Sequence, residues 1–155
     1  FCYTGSFSVY AAAGNAASVT SVDLSKTYLK WAEDNMQLNN FHDPRKHHFL
    51  HADVLQYLDT LEPDSFDLVI LDPPTFSNSK RMKDFLDIQA DHVSLLNKTL
   101  KALSPDGVIY FSTNYRKFEL DRERIQTPSI RDITSATTPF DFQGKLFRWC
   151  YRLEA

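Results

Sequence analysis

The chain is short of cysteine, of net positive charge, of long apolar runs and of glycine, and each shortage removes a class of function. Two cysteines, Cys2 and Cys150, cannot build a disulfide framework. With no basic leader ahead of Phe1-Cys2-Tyr3-Thr4-Gly5, the start does not read as a signal peptide, so a reducing, cytoplasmic setting is expected. It reads instead as a chain entered in mid-motif. No apolar run approaches the ~20 residues that cross a bilayer, so no membrane role is expected. A formal net charge of -3 argues against holding nucleic acid by bulk charge alone, although a local basic patch or a neighbouring domain could still do so. No Cys/His spacing resembles a zinc site. His47 and His48 are adjacent and on a strand would face opposite ways, so no metal is expected and the five histidines read as structural or surface residues.

What is present suits one globular domain. The 155 residues are 43% hydrophobic and 24% charged, with 12 Phe and 7 Tyr available for a core. Short strand-like runs alternate with helical patterns. Residues 6–13 read as a short helix stopped near Gly14-Asn15, and 18–22 as a strand ending at Asp23. Ser25 then caps a helix over 26–38, with Leu29, Ala32 and Met36 on one face. Residues 47–51 form the next strand, 54–61 a short helix, and 62–65 a turn. The clearest strand is 66–71, whose unbroken Leu68-Val69-Ile70-Leu71 predicts burial on both faces of a parallel sheet. A polar, basic loop over 75–83 leads to a helix over about 85–103, with Ile88, His92, Leu95, Leu96, Leu100 and Leu103 at helical spacing. Ser104-Pro105-Asp106-Gly107 reads as a turn, 108–111 as a strand, and 129–135 and 146–153 as two final strands. The order predicts a mostly parallel α/β sheet with an antiparallel C-terminal hairpin at its edge, and a first strand truncated before Phe1.

In an open α/β sheet, ligands bind beyond the carboxyl ends of the strands. Thr4-Gly5-Ser6, Asp23, Asp53 and Asp72-Pro73-Pro74 all fall at such ends. Gly5 would allow close backbone approach to a ligand, and the helix after it offers N–H groups to an anion; a plain strand–helix turn has the same signature. Asp23 can accept both hydroxyls of a ribose, or it can cap the next helix. Asp53 can accept from an adenine amino group while the neighbouring N–H reads a ring nitrogen, or it too can be a helix cap. Asp72-Pro73-Pro74-Thr75-Phe76 is the most specific signal. Two prolines after an acid fix the loop, so that acceptors can be held against a flat base while Phe76 stacks on it. Lys80, Arg81 and Lys83 after that loop, and Arg116 and Lys117 after the next strand, could contact phosphates or simply be solvated.

Together, Phe1-Cys2-Tyr3-Thr4-Gly5-Ser6, Val22-Asp23-Leu24-Ser25, Ala52-Asp53 and the stretch from Leu71 to Met82 resemble class I S-adenosylmethionine-dependent methyltransferases with their Rossmann-like sheet. More narrowly, they resemble the guanine-N7 half of the bifunctional bacterial methyltransferases of 23S ribosomal RNA. The similarity runs on through Phe111-Ser112-Thr113-Asn114 to Trp149-Cys150. The resemblance implies that residues 1–155 are a catalytic domain binding S-adenosylmethionine. Phe1, Tyr3, Thr4, Gly5 and Ser6 would line the methionine moiety. Asp23 with Leu24 would hold the ribose, and Asp53 with Val54 the adenine. Asp72, also placed at the cofactor, Pro73 and Phe76 would face the target base. It also implies additional RNA-binding and guanine-N2 methyltransferase domains in the full protein.

The residues themselves bear on the acceptor. Methylating cytosine C5 requires prior attack by a cysteine, and none stands beside Pro73-Pro74 or at Ser112-Thr113-Asn114. Guanine N7 offers a lone pair and needs alignment more than a base. An exocyclic guanine amine remains an alternative. A nicotinamide enzyme would need a Gly-x-Gly-x-x-Gly turn where only Gly5 stands. A non-catalytic RNA-binding domain keeping this fold is the third reading.

Overall fold

The computed structural model describes residues 1–77, 86–144 and 147–155, in two compact units, Phe1–Tyr57 and Leu58–Ala155. The first unit begins with α1 (Ser6–Ala13), β1 (Val19–Asp23) and α2 (Lys26–Leu38). Ser25 caps α2 by accepting the Tyr28 N–H at 3.3 Å. Leu29, Ala32 and Met36, one helical stripe, are buried. At the far end Asn40 takes a positive φ of 60°. The Phe41 and Asn40 N–H groups then return to the Met36 and Gln37 carbonyls at 2.9 and 3.0 Å, which stops the helix with its last acceptors satisfied. β2 (His47–His51) runs parallel to β1, from Val19 opposite His47 to Asp23 opposite His51. As the alternation predicts, His47 is buried and His48 exposed. α3 (Val54–Leu58) follows and reaches the second unit with its last residue.

In the second unit β3 (Phe66–Leu71) pairs in parallel with β6 (Leu103–Thr113). The C-terminal strands β7 (Ile130–Asp132) and β8 (Trp149–Glu154) add in antiparallel fashion, giving the order β3-β6-β8-β7. The expected edge hairpin is therefore present. α4 (Ile88–Lys101) is capped by Asp87, whose carboxylate accepts the Gln89 N–H at 2.9 Å. Ile88, His92, Leu95 and Leu96 are buried, with Ile109, Phe111 and Leu153 of the sheet. His92 is a satisfied core histidine, as expected. Its Nδ1 faces the Ile88 and Gln89 carbonyls, and its Nε2 accepts the Asp121 N–H at 3.1 Å.

Four sequence expectations are corrected. First, Leu103 is not the end of α4 but the start of β6. Second, Ser104-Pro105-Asp106-Gly107 is not a separate turn but an irregularity within β6. Leu103 lies opposite Phe66, and Val108 opposite Leu68, so β6 spends more residues than β3 over that step. A Cβ on Gly107 would come within 2.8 Å of the Ser104 carbonyl oxygen, so only glycine fits the fold-back. Third, β3 is not buried on both faces. Val69 and Leu71 lie in register with the buried Ile109 and Phe111, whereas Leu68 and Ile70 take the opposite face and are 49% and 37% exposed. Among the described residues, their strand is the outer member of its sheet and pairs with β6. Fourth, Phe76 and Ser77 are not loop but a short strand, β4 (Phe76–Ser77), paired antiparallel with β5 (Leu86–Asp87). A two-residue strand leaves no period-2 pattern to detect.

Candidate functional site

Within the first unit, the carboxyl end of β1 and the Phe1–Ser6 segment meet at one side chain. Asp23 accepts the Tyr3 N–H on Oδ2 at 3.1 Å and the Ser25 N–H on Oδ1 at 2.9 Å. Both alternatives read from the sequence therefore start from the same geometry. The carboxylate shapes the turn into α2, and each oxygen keeps a second lone pair for a hydroxyl. Cys2 N–H bonds the Val22 carbonyl at 3.0 Å, laying the segment along β1. Asn35 of α2 donates to the Thr4 carbonyl at 2.8 Å, a support missed in the sequence. The signal available was its place one turn beyond Ala32 on α2.

Gly5 is required, but its close neighbour is not a ligand. Its φ is +72°, and an added Cβ would lie 2.5 Å from the Ala32 Cβ and 2.9 Å from the Ala32 Cα. Helix α2 packs directly on the turn, and any larger residue at either contact point would collide. α1 begins immediately after Gly5 with no side chain capping its first N–H groups. Those donors and the exposed Ser6 are thus available to an anion.

At the end of β2, Asp53 accepts the Leu55 N–H at 3.0 Å and so acts as the helix cap anticipated as the alternative to adenine binding. Val54 is buried, which leaves its backbone rather than its side chain for a ligand. The Leu24 carbonyl is held by His51 Nε2 at 3.0 Å, fixing the residue after Asp23.

In the second unit, Asp72 follows β3 and is exposed, with Oδ1 accepting the Ser112 hydroxyl at 2.7 Å. Ser112 lies on β6, so the carboxylate is aimed by the neighbouring strand. Pro73 is buried and anchors the loop, while Pro74 is exposed. Thr75 donates its hydroxyl to the Asn114 side-chain oxygen at 2.7 Å, and its carbonyl accepts the Ile88 N–H at 3.2 Å. The ring of Phe76 is 53% exposed, and its centroid lies 5.9 Å from that of Tyr115 in an edge-to-face contact. The loop is thus tied to the end of β6 at two successive residues.

Arg116 and Lys117, which follow Tyr115 in the chain, are exposed; Lys80, Arg81 and Lys83 lie outside the described residues. Among the described residues there is no group of His, Cys, Asp and Glu that could hold a metal ion. Neither cysteine is poised as a nucleophile. Burial, with the negative Asp23 nearby, pushes the Cys2 thiol up to about 11. Cys150 is buried within β8.

Residues 1–143 match the family of S-adenosylmethionine-dependent methyltransferases. The chain is 48% identical over 155 residues to the ribosomal RNA large subunit methyltransferase K of Neisseria meningitidis serogroup B, covering 99% of this chain and 44% of that protein. It is 53% identical over 154 residues to the ribosomal RNA large subunit methyltransferase K/L of Legionella pneumophila (strain Lens), covering 99% of this chain and 21% of that protein. The chain therefore spans less than half the length of these relatives. Its fold is shared with the crystal structure of the SAM-dependent methyltransferase from Agrobacterium tumefaciens, at a TM-score of 0.78 and 20% identity, over 99% of this chain and 54% of that one. The α/β architecture with its parallel pairs and antiparallel C-terminal strands is accordingly Rossmann-like, and the chain belongs to the S-adenosylmethionine-dependent methyltransferase family.

Proposed function

We propose that this chain is the catalytic domain that transfers a methyl group from S-adenosylmethionine to a base of ribosomal RNA, namely guanine N7 of 23S ribosomal RNA. The observation that carries the reading is the exposed Asp72, aimed by Ser112 and followed by a buried proline and a half-exposed phenylalanine. The bound cofactor supplies an electrophilic methyl group. Everything else asked of the protein is alignment. Asp72 accepts from the guanine N–H edge, Pro73 keeps the loop rigid, and Phe76 stacks on the ring. No proton leaves N7 before attack, which suits a site whose cysteines are both unavailable.

The cofactor fits the donors and acceptors present. Asp23 has spare lone pairs for the ribose hydroxyls, with Leu24 beside it. The uncapped start of α1 at Ser6 suits a carboxylate, with Phe1, Tyr3, Thr4 and Gly5 forming the turn around the methionine. Asp53 and the Val54 N–H would take the adenine edge. Arg116 and Lys117 would meet RNA phosphates, as would Lys80, Arg81 and Lys83. The protein would act in the cytoplasm, alongside RNA-binding and guanine-N2 methyltransferase domains. The names of the two relatives above, both ribosomal RNA large subunit methyltransferases, support this substrate class.

The test is methylation of 23S ribosomal RNA from a strain lacking the gene, followed by nucleoside mass spectrometry. 7-Methylguanosine is expected. N2-methylguanosine would move the acceptor to the exocyclic amine, and no methylated nucleoside would refute the enzyme reading in favour of a scaffold.

A further inference from the structure

β8 runs antiparallel to β6, so the beginning of β8 lies past the same sheet edge as the end of β6. Its first residue, Trp149, sits opposite Thr113, the last residue of β6. β3 is parallel to β6 and ends at that edge too, with Asp72 just beyond it. Phe147, two residues before β8, therefore approaches the edge where the base-facing loop emerges.

Its ring is 52% exposed, and Arg116 places its guanidinium carbon 4.3 Å from the ring centroid. The two residues after it are well held. Arg148 donates to the Thr137 carbonyl and hydroxyl, both at 3.0 Å, and the Trp149 indole N–H donates to the Tyr115 carbonyl at 3.1 Å. Tyr115 in turn meets Phe76 edge to face. A continuous line of contacts thus runs from Phe76 through Tyr115 to the Arg116–Phe147 pair. An isolated exposed phenylalanine carries little meaning. A firmly mounted one, with a cation over one face and a second cation, Lys117, exposed beside that arginine, has the composition of a single-strand stacking platform.

We infer that Phe147 and Arg116 form a shelf on which an unpaired nucleotide next to the target base stacks, so that they are positioning residues for single-stranded RNA. The inference rests on the RNA methylation proposed above. Every base has a π face, so the shelf tolerates sequence and accepts RNA that is locally unpaired. A protein segment covering the ring is the competing occupant.

The test measures binding of a fluorescein-labelled oligo-adenosine RNA to the purified native protein and its F147L, F147Y and R116A variants, together with S-adenosylhomocysteine affinity and thermal melting. F147L is expected to weaken RNA binding by about ten-fold, with F147Y restoring it. Cofactor affinity and melting temperature should hold. RNA binding by F147L equal to wild type, or no rescue by F147Y, overturns the shelf. A lowered melting point with unchanged RNA binding also overturns it and assigns the ring to a protein contact. The two readings fail separately. RNA binding that depends on Phe147 without methylation of ribosomal RNA sinks only the enzyme reading. Methylation with an F147L KM for ribosomal RNA equal to wild type sinks only the shelf.

Discussion

Asp23 ends a parallel strand and Asp72 follows one, yet the two are built differently. Asp23 receives two backbone N–H groups, so it belongs to the turn it stabilises. Asp72 receives one side-chain hydroxyl from a neighbouring strand and is otherwise exposed. The first carboxylate is coupled to local folding and the second only to its own aim. In the roles proposed above, binding a constant cofactor would tolerate the first arrangement, because shape and ligand contact can share one group. Orienting a reacting base would call for the second, in which the group can be tuned without reshaping the backbone.

The largest expected effect tests how far the first region is structural. Gly5→Ala combines a positive φ with contact at 2.5 Å, so it should destabilise by on the order of 3 kcal/mol, read as a lower urea midpoint. A midpoint within error of wild type would remove the claim that α2 packs on this turn. Asp23→Ala comes next. Loss of two acceptors should cost about 1–2 kcal/mol of stability and also weaken cofactor binding by calorimetry, whereas Asp23→Asn should keep part of both. Unchanged cofactor affinity in the alanine variant would confine Asp23 to the turn.

Asp72→Ala should do the opposite, leaving stability within roughly 0.5 kcal/mol while slowing methyl transfer. Ser112→Ala should slow it less, by up to about ten-fold, because the carboxylate remains and only its aim is lost. Single-turnover rates separate these from binding effects. A large melting shift in Asp72→Ala would erase the contrast between the two acids.

The smallest effect is titration in the first unit. Burial holds the His47 pKa below its usual value, and its Nδ1 must stay unprotonated to accept the Asp43 N–H at 3.1 Å. The unfolded chain therefore binds this proton more readily than the folded one. The contribution is complete above pH ~6.5 and declines as pH falls from there toward the lower folded value. Urea midpoints between pH 7 and 5 should fall less steeply in His47→Gln; parallel curves would contradict the assignment.

Much of the first region was legible in the sequence because capping and periodicity are local. The Ser25 cap, the Leu29-Ala32-Met36 stripe and the stop after Leu38 need only neighbours a turn apart. The contact of Gly5 with Ala32 did not show, because it depends on where a helix packs rather than on the turn itself. In the second region, the Asp72-Pro73-Pro74 loop stood out by composition. Its partners Ser112, Asn114 and Tyr115 come from 39 or more positions away, brought in by the pairing of β3 with β6. Leu68 and Ile70 misled because an apolar run records strand propensity, whereas burial depends on what covers each face.

Residues 114–129, between β6 and β7, form an irregular coil that α4 braces. Gln89 of α4 exchanges two hydrogen bonds with Glu119, donating to its carbonyl at 2.9 Å and accepting its N–H at 3.0 Å. Asn97 does the equivalent for Arg124 and Gln126, at 3.0 and 2.8 Å. With His92 holding the Asp121 N–H between them, one helix offers side chains in place of a partnering strand. A coil braced in this way is already ordered before any ligand arrives, so the entropic cost of arranging it falls on folding and not on recognition.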